Sequence, residues 1–167
     1  AQTESDLVWA LILGATQFVD GKPVFDADHG NVAASGGAIN TTTLAAARAA
    51  MRKQKSKAGH FLNIGLEYLV VGPDKELEAY QFTSSNYVPA KNVDINDARN
   101  TALTVIVDAR ITGNQWFLAA SPGAFDTIEL SHLDGQETLY TETQPGFDVD
   151  GIKTKARLDV GAAVVDF

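Results

Sequence analysis

Two hydrophobic periods divide this chain. Residues 42–57, TTLAAARAAMRKQKSK, have the composition of a helix, whereas residues 151–160, GIKTKARLDV, alternate on a two-residue period. Side chains three or four apart share a helix face and side chains two apart share a strand face, so neither pattern suits the other structure. Helical segments fall in the first half and strand-like segments dominate the second. That distribution predicts an α+β fold.

The element boundaries follow from local chemistry. A threonine is expected to cap the 42–57 helix, cations collect in its last turns where the helix dipole favours them, and Gly59 is expected to end it. EYLVVGP at 67–73 reads as a buried strand, and Pro73 opens a second helix over 73–85 with acids in its first turn. ALTVIVDARI at 102–111 and QWFLAAS at 115–121 flank TGN, which predicts a hairpin. Strands are also predicted at 125–133, at 151–160 after the tight turn DVDG, and in the closing AAVVDF. The expected centre is a β-sheet flanked by the 42–57 and 73–85 helices.

Two segments do not fit a free-standing domain. SDLVWALILGA at 5–15 reads as a helix with Ser5 as cap and Gly14 as stop, but it is apolar on every face, so it should be buried in the domain or against a partner. Residues 18–40 are rich in Gly, Asn and Asp and lack periodicity; a connection that long predicts an extended arm or loop supported by a neighbour. The chain starts at Ala1 and stops at Phe167 inside the apolar run GAAVVDF, so residues 1–167 are expected to be a fragment of a longer protein.

Composition narrows the chemistry. There are no cysteines, which removes disulfides, thiolate nucleophiles and cysteine-bound zinc together. No apolar run approaches the ~20 residues that cross a bilayer, and LVWALILGA has no basic region before it, so it does not read as a signal peptide. The net charge of -8 makes the chain a poor general binder of nucleic acid.

The candidate constellations are few. Residues 26–31 read DADHGN, and Asp26, Asp28 and His29 are candidate metal ligands or an acid/base pair. His60 and His132 lie far off in sequence, without HxH or HExxH spacing, and Asp, His, Gly and Asn are also ordinary turn residues; the turn reading is favoured. ASGGA at 34–38 lacks the GK[ST] of a phosphate loop. In FDVDGIKTKARLD the glycine, Gly151, arrives too early for a calcium loop, and the twelfth residue from Asp148 is Asp159 rather than glutamate. Arg48, Arg52, Lys53, Lys55 and Lys57 form a basic patch that could meet nucleic acid or an acidic partner; pairing with the helix dipole and solubility are the favoured explanation. There is no GxSxG or SxxK, and Ser121 has no histidine at a suggestive position. The residues thus carry no catalytic constellation, and the chain reads more like an assembly subunit than an enzyme.

DGKPVFDADHGNVA, then LAAARAAMRKQK, EYLVVGP and a helix, then WFLAASPGAFDTIELSHLDGQETLYTETQPGFDVDGIKTKARLDVGAAVVDF resemble the Mu-like phage major head (major capsid) protein family. The resemblance runs from about Asp20 to the end and is most specific from Asp126 to Phe167. It implies the tailed-phage capsid fold: an axial-domain sheet flanked by helices, with parts of a peripheral domain and the missing N-terminal part elsewhere. It implies a structural subunit of an icosahedral phage or prophage capsid around double-stranded DNA, with no catalytic, cofactor or metal residues. His29, Gly30 and Asn31 match the family's HGN, while Asp26 departs from it, and His29 and Asn31 are expected to bond backbone. The implied partners are further copies of itself in hexamers and pentamers, a scaffold, a portal and a maturation protease, with only weak contact to packaged DNA and none to a membrane. The implied place is the virion capsid, assembled in the bacterial host cytoplasm. Two alternatives stand beside it: a metal-dependent hydrolase using Asp26, Asp28 and His29, and a nanocompartment shell protein of the same fold.

Overall fold

The computed structural model describes residues 2–14, 19–56, 58–85, 98–135, 137–146 and 150–166. Four helices are present among them: α1 (Gln2–Leu13), α2 (Thr41–Lys53), α3 (Glu76–Thr83) and α4 (Ala98–Thr101). The strands are β1 (Tyr68–Val71), β2 (Thr104–Val107), β3 (Trp116–Ala119), β4 (Ile128–His132), β5 (Tyr140–Pro145), β6 (Ile152–Arg157) and β7 (Val160–Val164). The expected α+β class holds.

The core forms around β1. This strand lies between β2, to which it is parallel, and β3, to which it is antiparallel. Leu69 and Val71 point to one face and are fully buried. Their cross-strand neighbours Val105, Val107, Trp116 and Leu118 pack on the same side, as the strand period requires. Leu44 of α2 and Ala79 of α3 close that side together with Ile39 and Leu103. The sheet flanked by two helices is therefore the one expected. On its other face, Phe25 from the 19–31 segment stacks on Phe117 with ring centroids 5.1 Å apart, while Ile106 stays 41% exposed.

The hairpin expected over 102–121 does not form. β2 and β3 lie on opposite sides of β1, and residues 108–115 carry the chain across its end. Burial decides this: Ile111, in the middle of that crossing, is fully buried and sits against Gly72, where an added Cβ would lie 2.2 Å from the Ile111 carbonyl oxygen. A tight TGN turn would leave Ile111 in water and β1 with an open edge.

Other boundaries shift for local reasons. Asn40 rather than a threonine caps α2, accepting the Thr43 N–H at 2.9 Å while Thr43 Oγ1 accepts the Asn40 N–H at 3.0 Å. α2 ends at Lys53, short of Gly59, because Lys55 pairs with Phe61 and Gly59 closes the turn between them at φ +82°. Pro73–Lys75 form a single 3-10 turn before α3. α1 begins at Gln2, so Ser5 lies inside it rather than capping it.

α1 lies against β7 and β4, which pair with each other antiparallel. Glu4 meets His132 Nε2 at 2.8 Å, and Asp6 meets Arg110 Nε at 3.0 Å. None of its residues is fully buried: one side rests on the sheet and the rest faces outward. β5 and β6 form a separate antiparallel ribbon. The sequence reading missed β5, and of the DVDG turn residues 148 and 149 lie outside the described residues.

Gly72→Ala is expected to destabilise the fold by at least about 1–3 kcal/mol, since the Ile111 backbone cannot move aside without opening the core. Gly36→Ala, with open space around it, is expected to stay within about 1 kcal/mol of wild type. Urea unfolding of both variants checks this; equal effects would contradict the close packing of Gly72 on Ile111.

Candidate functional site

The DADHGN residues form a polar knot that fixes the 19–31 segment. Asp26 caps the 3-10 turn Ala27–His29, accepting the Asp28 N–H at 2.9 Å. Gly30 ends that turn in the left-handed region at φ 68°, a conformation glycine adopts without strain. The Asp26 N–H donates to Asn31 Oδ1 at 3.1 Å, and Asn31 Nδ2 donates to the Val24 carbonyl at 2.7 Å. His29 Nδ1 donates to the same carbonyl at 3.0 Å, so both lone pairs of that oxygen are used. Gln54, just past α2, donates to the His29 carbonyl at 2.7 Å and ties the knot to the helix.

His29 is buried, and its Nε2 lies 2.7 Å from Asp20 Oδ2. Burial alone pulls the imidazole pKa down. The Asp20 hydrogen bond, the Val24 carbonyl and the nearby carboxylate charges outweigh it and hold the pKa above its ordinary 6.5. Both ring nitrogens face acceptors, which favours the doubly protonated ring. The Asp20 carboxylate is held below its ordinary range, chiefly by His29 and also by the Lys22 N–H. Asp28 turns outward to Lys22, which lowers the carboxylate and raises the amine.

The three candidate ligands thus do not converge. Asp26 serves the turn, Asp28 the Lys22 ammonium, and His29 the Val24 carbonyl and Asp20. An open cleft of about 330 Å³ borders Asp28, His29 and Gly30 and the end of α2, but the carboxylates are engaged beside it. Among the described residues, no group of three or more His, Asp or Glu is placed to hold a metal. His29 and Asn31 bond backbone as expected. Asp20, nine residues before His29, was missed; nothing in that spacing marks the pair.

The basic patch is partly absorbed by the fold. Arg48 Nη2 donates to Asn100 Oδ1 at 2.7 Å, satisfying a fully buried amide. Arg52 Nη1 donates to Asn63 Oδ1 at 2.8 Å, and Lys55 sits 5.0 Å above the Phe61 ring. Lys57 lies outside the described residues.

Among the described elements, the β5–β6 ribbon is the least covered. All residues of both strands are exposed, Ile152 at 76%. In its register Tyr140 faces Arg157, Glu142 faces Lys155 and Gln144 faces Lys153. That face is charged; the other carries Thr141, Thr143, Pro145, Ile152, Thr154 and Ala156.

A family model described as phage capsid protein matches residues 1–167, and the chain belongs to that family. By its description that family is one of structural proteins of the phage capsid. Neither a curated protein nor a solved structure matches the chain.

Two outcomes follow from the knot. The His29 contribution to stability is fully present below pH 6.5, its ordinary value, and is lost as pH rises through the raised folded value; the Asp20 contribution is present above pH 3.8 and is lost as pH falls through the lowered one. Stability measured across that range is expected to fall on the alkaline side in wild type, and His29→Gln is expected to flatten that fall. A His29 ring titrating below 6.5 by NMR would contradict the pairing. Separately, protein equilibrated with zinc, manganese or calcium and desalted is expected to retain no stoichiometric ion. An ion held by wild type and lost in Asp28→Ala would revive the metal site.

Proposed function

We infer that this chain is the shell subunit of a Mu-like phage or prophage head, tiling an icosahedral capsid around double-stranded DNA. The observation that carries this reading is the capsid family match over residues 1–167. The β2–β1–β3 sheet with α2 and α3 then corresponds to the axial domain. β4–β7 and the β5–β6 ribbon correspond to adjoining peripheral pieces, and residues 18–40 to an arm or loop that neighbours support.

The physical features suit such a role. Weak contacts repeated over many copies close a stable container without strong pairwise affinity. The acidic balance of -8 keeps a shell lining from gripping packaged DNA, leaving only weak, non-specific contact. The exposed β5–β6 ribbon and the outward side of α1 are liabilities in a free monomer and assets in a lattice of subunits. A scaffold, a portal and a maturation protease would be its partners during assembly in the host cytoplasm. Among the described residues no helix is long and apolar enough to cross a membrane.

The complete gene product, expressed with its neighbouring head genes, is expected to form pentameric and hexameric rings and closed particles under negative-stain microscopy. A product that remains a monodisperse monomer or dimer by light scattering in every condition would defeat the capsid reading.

A further inference from the structure

One face of the β5–β6 ribbon carries charge opposite in sign to the chain as a whole. That face holds Lys153, Lys155 and Arg157 against Glu142 in a chain of net -8, while the residues that join the two strands include Asp148 and Asp150. In the strand period the three cations lie on one face, about 7 Å apart along β6. The packing of the ribbon is chiefly between its own two strands, and a lone two-stranded ribbon is marginally stable in water. Charge placed there for solubility alone would share the sign of the body, because like charges keep copies apart. Here the sign of the face is opposite, on strands whose residues are all exposed.

We propose that the cationic face of the β5–β6 ribbon docks on the acidic body of a second copy of this chain. The proposal rests on the shell reading and deepens it by naming the surface that joins subunits. Three features set the mode of contact. Lysines along β6 oppose the addition of another strand to its edge, so the ribbon engages through its face. Tyr140, on that face and 47% exposed, supplies apolar area beneath the Arg157 guanidinium, 5.6 Å from its ring centroid. Glu142 lies in the middle of the same face, opposite Lys155, and Asp159 sits 3.2 Å from Arg157 Nε. Those carboxylates would repel a phosphate backbone, whereas a protein surface of mixed charge and net acidity can match them. That is why a second copy is favoured over nucleic acid as the occupant.

The test uses the complete gene product and needs no chemistry beyond charge. Assembly of wild type is expected to weaken steeply with added salt, as the screening length falls from about 10 Å at 0.1 M to about 3 Å at 1 M. Lys153→Gln/Lys155→Gln is expected to keep the wild-type circular dichroism and melting midpoint, since the ribbon is nearly independent of the core, while the concentration needed for assembly rises roughly tenfold or more through the repeated contacts. Lys53→Gln/Lys55→Gln, with the same loss of charge elsewhere, is the control and is expected to assemble like wild type. A ribbon variant that assembles at the wild-type concentration with the wild-type salt dependence overturns the proposal and leaves the shell reading standing. Unchanged assembly with lost retention of duplex DNA overturns it in favour of a nucleic-acid contact. If the ribbon variant misfolds, the wild-type salt titration still decides: assembly indifferent to salt overturns the proposal. Wild type that never assembles refutes the shell reading itself, and the ribbon proposal with it.

Discussion

The burial of β1 is the constraint on which the rest of the structure depends. It has both edges paired, and Leu69 and Val71 are fully buried beneath α2 and α3. With strands on both sides, the chain between β2 and β3 must cross the end of β1, and that crossing buries Ile111 against Gly72. The helices answer one face of the sheet. The other is answered by a loop, which can press Phe25 onto Phe117 only because the Asp20–His29 and Asn31–Val24 bonds hold its shape. A segment with no regular structure thus behaves as a packed element, and its reactive-looking residues are spent on keeping it so.

What the sequence made legible were segments whose burial and periodicity agree. The 67–73 strand and the 42–57 helix appear near their expected positions, because their apolar residues already state which face is covered. The 151–160 alternation marks a strand too, but one with no covered face, and the structure divides the segment between β6 and the start of β7. Pairing was less legible. TGN between two apolar runs is a good hairpin signal, but the competition between a tight turn and the burial of Ile111 is settled by tertiary packing. β5, YTETQP, has no buried side at all, so no hydrophobic pattern announces it; only its partner β6 makes it a strand. At the candidate site, the residue types of DADHGN were visible, and so was their suitability for a turn. Asp20, the partner that charges His29, was not, since a contact across nine residues of irregular chain leaves no periodic trace.

Stability and association are divided between different parts of the molecule. The core is small and local, built from β1 and a few residues of α2, α3 and the loops. β5–β6 and the outer side of α1 contribute little to it and expose much. In a capsid family subunit this division is physically sensible. On the proposed shell reading, the core holds its shape in every environment of a shell and the exposed elements would gain their stability from neighbours. Opposite charge on the ribbon face and on the chain as a whole would let that second step respond to ionic strength without touching the first.

Hydrogen–deuterium exchange on free and assembled protein tests this division most directly. Amides of β1 should be strongly protected in both states, and those of β5, β6 and α1 should exchange quickly when free and become protected on assembly. Ribbon and α1 amides that exchange equally fast in both states, or β1 amides that gain their protection only on assembly, would contradict the account.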